Sequence, residues 1–129
     1  MSKRSQYAIL FFVIVLALVY GNGGGGILPS TRIIDVEGPA VLVVYESGDQ
    51  AKLPTEQQNI VLGEAWTDLA DQYRILDKDV EFTGDTPFKA AFDRPRESLP
   101  WCIVSGKRNY EGPLPATVAE MVKLVEAAR

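Results

Sequence analysis

Apolar residues separate one segment of this chain from the rest by the sheer length of their run. Residues 7–20, YAILFFVIVLALVY, carry no charge; Lys3 and Arg4 precede them, and five glycines fall among the six residues 21–26 that follow. A run with no polar side has no amphipathic face to lay on a soluble core. A basic start before an apolar stretch is what the secretory machinery inserts, with the basic end left inside. As a helix the fourteen residues span about 21 Å, against ~30 Å of hydrocarbon. Ser5, Gln6 and Gly21 extend the run to the lower limit for a span, Lys3 and Arg4 can snorkel, and Tyr7 and Tyr20 stand as interfacial aromatics. Two readings stand for residues 1–20. They are an uncleaved signal-anchor helix, or a signal peptide whose best cleavage position, after Gly21, has the larger Val19 at −3 where a small residue is wanted. In either case residues 21–30 read as a Gly-rich linker, its five glycines at 21 and 23–26 offering no side chains to pack. Residues 31–129 read as one domain, on the extracytoplasmic side of a membrane or secreted into that space.

Beyond the linker the periodicity changes. Residues 40–45, AVLVVY, form a β-branched run after Gly38-Pro39, the pattern of a central strand buried on both faces. Residues 32–36, RIIDV, suggest a short strand before it. Residues 46–50 are turn chemistry. Thr55 then stands as the N-cap of a helix whose apolar positions Leu62, Trp66, Leu69, Ala70 and Tyr73 follow helical spacing, with Glu56, Glu64, Asp68 and Asp71 on the polar side. Residues 73–77 predict a second strand and 88–92 a short helix stopped near Pro95. Residues 101–104 and 109–111 predict a hairpin about the turn 105–108. Thr117 and Glu120 read as a capping box, opening a helix with Val118, Met121, Val122 and Val125 on one face. Strand, helix, strand in succession predicts a parallel βαβ unit.

Composition narrows the chemistry. Once Lys3 and Arg4 are set aside, 11 lysines and arginines face 17 acids, which argues against nucleic acid and anionic lipid as partners. The chain has no histidine, which removes Ser-His-Asp and Cys-His catalysis and most zinc sites. Its single cysteine, Cys102, allows no internal disulfide. Alternation along the predicted strand turns Cys102 into a core face, where a thiol is inert. Asp77, Asp79, Glu81 and Asp85 form an acidic run, with the first three on one side of an extended segment. The EF-hand pattern fails there, since Phe82 stands where glycine is needed and no glutamate closes the loop. A solvated strand end is expected, with no metal and no cofactor. Arg94 and Arg96 flank Pro95 as solvated loop charges.

The order of elements, with a proline opening the first strand of the final hairpin, resembles the thioredoxin-like fold. The pieces that carry the resemblance are AVLVVYES, LADQY, YRILDKD, LPWCIV and TVAEMVKLVEAA, between residues 39 and 128. It implies an α/β fold, a three-layer α/β/α sandwich on a mixed sheet, here preceded by the N-terminal hydrophobic helix. It also implies that Pro100, after Leu99, takes the place of a cis proline beside a groove for extended peptide; trans, the commoner state of X-Pro bonds, stays open from the residues alone. Leu99, Pro100 and Trp101, with Tyr110, are the candidate groove, while Trp66 and Trp101 are equally core candidates. Redox members of the family carry Cys-x-x-Cys where this chain has SGDQAKLPTEQQ, residues 47–58. Both sulfurs are missing, so dithiol exchange is not expected. The expected function is a redox-inactive module that binds a protein or an extended peptide, with self-association as a further possibility. The rival is a thiol-dependent enzyme using Cys102 with a partner's cysteine.

Overall fold

Five strands and three α-helices run through the described part of the computed structural model, residues 26–29, 32–84 and 86–129. Residues 7–20 and most of the glycine run lie outside it. The order is β1 (Gly26–Pro29), β2 (Ala40–Tyr45), a 3-10 turn at Ser47–Lys52, α1 (Thr55–Val61), β3 (Gln72–Asp77), α2 (Thr86–Phe92), β4 (Trp101–Ser105), β5 (Arg108–Pro113) and α3 (Val118–Ala128). The strands form one mixed sheet in the order β1-β5-β4-β2-β3. The β2–β3 pair is parallel, as the βαβ pattern predicts, and every other pair is antiparallel. The fold is of the α/β class.

Alternation along the strands divides the core in two. Val41 and Val43 of β2 and Cys102 and Val104 of β4 face a cluster with Ile60, Val61, Trp66, Leu114, Met121, Val125 and Ala128. Ala40, Leu42, Val44, Trp101 and Ile103 face the other side, against Ile34, Phe88, Ala91 and Phe92. Thus α1 and α3 cover one face and α2 the other. Each fully buried aliphatic side chain contributes about 1.5–3 kcal/mol. β2, buried along nearly its whole length, is the common wall of both clusters.

Three elements differ from the sequence expectation. The helix from Thr55 does not run to Tyr73. It ends at Val61, Gly63 takes a positive φ of 87° and Ala65 one of 70°, and Leu62 is left 71% exposed. Trp66 reaches the core from a turn instead, and its indole N–H donates at 2.8 Å to the Ile60 carbonyl, which also accepts from the Gly63 amide at 2.9 Å. Tyr73 opens β3. The N-cap is Pro54, with no side-chain bond, and Thr55 is the first helical residue.

Residues 32–36 are bends and not a strand. The Ser105 hydroxyl accepts from the Ile33 and Ile34 amides at 3.0 and 2.9 Å, while Arg32 donates to the carbonyls of Val36 and Gly38. These side chains, one near and one distant in sequence, take backbone groups a ladder would use. The strand on that side is β1, inside the segment read as linker, paired with β5 from Gly26↔Glu111 to Pro29↔Arg108. The capping box at α3 is present one residue displaced. Thr117 Oγ1 accepts from the Glu120 amide at 3.1 Å, and Glu120 Oε1 accepts from the Ala116 amide at 3.1 Å.

Candidate functional site

β2 ends at Tyr45, and the chain turns through Glu46 into the 3-10 turn before Leu53 and Pro54 lead it into α1. The turn is fixed from β3: Asp77 accepts from the Ser47 amide at 2.8 Å and from the Asp79 amide at 2.9 Å. Gln58 Nε2 holds the Leu53 carbonyl at 2.7 Å. Opposite, Leu99 and Pro100 enter β4 through a cis peptide bond, and the Pro100 carbonyl accepts from the Leu114 amide at 3.1 Å. Between the two lies a cleft of about 140 Å³ lined by Tyr45, Glu46, Asp49, Leu53, Leu99 and Pro100. It is smaller than the ~300–1,000 Å³ usual for small-molecule sites, so it suits a shallow contact with one or two side chains of a longer ligand.

Of the candidate groove residues, Leu99 and Pro100 come together here, and Leu99 is 38% exposed. Trp101 does not join them. Its ring is turned into the α2 cluster, and its indole N–H finds no acceptor among the described residues. Tyr110 lies apart, beside α3, with its hydroxyl donating to the Pro113 carbonyl at 2.6 Å. Tyr45, Glu46, Asp49 and Leu53 were missed by pattern reading. One signal did point to them, since ligands on open α/β sheets bind beyond the carboxyl ends of parallel strands.

Cys102 is fully buried on the α1–α3 face, its Sγ 3.8 Å from Met121 Sδ. Burial pushes its thiol far above the ordinary range. It does not open into the cleft lining. A thiolate nucleophile is therefore absent from this cleft.

The acidic run is rearranged. Asp77 and Asp79 meet Glu46, their oxygens within 4.8 Å of one another, whereas Glu81 is exposed and Asp85 lies outside the described residues. One lysine within the chain offsets part of this charge. Lys78 Nζ stands 3.3 Å from Glu46 and 2.9 Å from Asp79, and these two hydrogen bonds raise its pKa. The amides of Ser47 and Asp79 lower that of Asp77. Arg94 is not a free loop charge either. Its guanidinium makes a two-pronged pair with Glu111 at 2.8 and 2.7 Å, joining the end of α2 to β5. Arg96 stacks over the Phe92 ring, 4.8 Å from its centroid.

Among the described residues no helix is long and apolar enough to cross a membrane; residues 7–20 fall outside them. No protein-family model, no curated protein and no solved structure matches this chain.

Proposed function

We infer that this chain is a thioredoxin-like domain without redox activity. Residues 7–20 hold it on the extracytoplasmic side of a membrane, or it is exported after their cleavage, and it binds an extended segment of another protein. The observation that carries the reading is the cleft between the 3-10 turn and Leu99-Pro100. It occupies the place where the family resemblance puts a thiol pair, at the carboxyl end of a central strand and before the first helix, and it is lined without sulfur. Support comes also from the parallel β2–β3 pair followed by an antiparallel hairpin, with α1 and α3 on one face and α2 on the other. Leu53, Leu99, Pro100 and the Tyr45 ring offer apolar surface at the cleft, as an extended peptide contact requires. Burial of Cys102 weighs against the rival thiol enzyme.

Two measurements test this on the full chain in detergent micelles. In an insulin-reduction assay with dithiothreitol the rate stays at background; clear acceleration would overturn the redox-inactive reading. With a panel of short unstructured apolar peptides, amide shifts concentrate at Tyr45, Glu46, Leu53 and Leu99. Leu99→Asp weakens the best binder about tenfold, equivalent to roughly 1.4 kcal/mol. Shifts that map elsewhere, or an unaffected Leu99→Asp, remove the cleft as the site.

A further inference from the structure

The cleft between the 3-10 turn and Leu99-Pro100 combines apolar surface with acid, and among the described residues its lining holds no cation. Both charged side chains there, Glu46 and Asp49, are carboxylates. They stand three positions apart on one fixed turn. The Asp49 amide donates to the Glu46 carbonyl at 2.9 Å, the Leu53 amide to the Gln50 carbonyl at 3.2 Å, and the Ser47 amide to Asp77 of β3 at 2.8 Å. The backbone carrying the two acids is therefore in place before any ligand arrives.

Each acid has a lysine beside it, and both lysines lie outside the lining. Lys52 Nζ stands 3.4 Å from Asp49, with both side chains more than half exposed. Lys78 Nζ is shared between Glu46 at 3.3 Å and Asp79 at 2.9 Å. Solvated pairs of this kind are worth ~0–1 kcal/mol, so a ligand cation can compete for the carboxylates. Glu46, Asp49, Asp77 and Asp79 outnumber Lys52 and Lys78, and these six side chains sum to a charge of −2. The excess of acids over the whole chain adds attraction at longer range. An acidic segment would meet this field with no cation in the lining to receive it. A wholly apolar one would take water from Glu46 and Asp49 and return no charge.

We propose that the cleft selects an extended segment in which a lysine or arginine stands two positions from the apolar residue it takes. The apolar side chain meets Leu53, Leu99 and Pro100, and the cation meets Asp49 and Glu46. Residues two apart on an extended chain share a side, so one ligand face presents both groups. The inference rests on the peptide-binding reading of this cleft and names the class of peptide. The charge pairing sets selectivity more than affinity.

Amide-shift titrations of the full chain in nonionic micelles test it with three capped alanine-based peptides. Each has a central leucine, flanked two positions away on both sides by lysine, by glutamine or by glutamate. The lysine peptide binds about fivefold more tightly than the glutamine peptide, and the glutamate peptide binds more weakly than either. The lysine advantage shrinks in about 0.5 M salt. Asp49→Asn brings the lysine-to-glutamine ratio toward one, whereas a purely structural part for Asp49 would lower both affinities and keep their ratio. Lys52→Gln, outside the lining, widens the ratio about twofold, because Asp49 loses its internal partner. Equal affinities, a ratio indifferent to salt or to Asp49→Asn, or one that Lys52→Gln fails to widen would overturn the basic preference. With the shifts still at Tyr45 and Leu53, such a result leaves the cleft standing as a peptide site. Shifts absent from the cleft with all three peptides would overturn both readings.

Discussion

Cys102 shows how far one side chain's surroundings decide its chemistry. It pairs across the sheet with Val43 and Gly112 and meets Met121 from the helix layer, and its full burial strips the sulfur of the water that would favour a thiolate. The folded chain therefore keeps the proton, whereas the unfolded chain releases it near pH 8.5. The unfolded state binds fewer protons above that pH, so stability is level below it and falls as pH rises through it. The unfolding free energy from urea titration should hold between pH 7 and 8 and then decline by up to ~1.4 kcal/mol per pH unit. Cys102→Ala should remove that part of the decline. An identical alkaline slope in the variant would place the thiol in contact with solvent. Gly106 is constrained as tightly by its neighbours: a Cβ there would stand 2.2 Å from the Ala128 carbonyl oxygen. The hairpin turn can therefore close on the last turn of α3, where the Lys107 amide donates to that same oxygen at 2.9 Å.

Among the elements, α1 departs most from its pattern. Apolar spacing through Leu62, Trp66, Leu69 and Tyr73 fits a long helix, yet the backbone turns at Gly63 and gives each of these residues a different environment. Trp66 is fully buried, Leu62 and Tyr73 are exposed, and the rings of Trp66 and Tyr73 meet edge to face at 5.3 Å. The short helix is held from outside: Gln57 donates to the carbonyls of Leu114 and Pro115, and Glu56 accepts from the Val118 amide at 2.9 Å. Trp66→Phe retains an aromatic ring and deletes the bond to Ile60. Denaturant unfolding should show a loss of about 1–2 kcal/mol, the usual cost of a buried hydrogen bond with one partner removed. A loss near zero would mean that the Gly63 amide, 2.9 Å from the same oxygen, satisfies that carbonyl by itself.

For the molecule as a whole, the sheet joins two cores that share β2 and β4, with Trp66 in one and Trp101 in the other. Neither core can lose its wall while the other keeps it, which predicts one cooperative transition. In Trp66→Phe, the fluorescence of the remaining Trp101 should follow the far-UV dichroism with a coincident midpoint. Separate midpoints would show the α2 layer unfolding by itself.

Much of this was legible in the order of amino acids, because it depends on period and on local hydrogen bonding. Residues 40–45 specify a strand buried on both sides, residues 101–113 a hairpin, Thr117 and Glu120 the start of α3, and the alternation about Cys102 an inward thiol. Leu99 and Pro100 were candidates on the family resemblance alone, not on period. Other features came only with the folded chain, since each rests on partners distant in sequence. Ser105 takes the amides of Ile33 and Ile34 that a strand would have used, β5 recruits residues 26–29, and Glu111 claims Arg94. Glu46 meets Asp77 and Asp79 only because β2 and β3 run side by side, and Trp101 parts from Pro100 because successive residues of a strand face opposite layers.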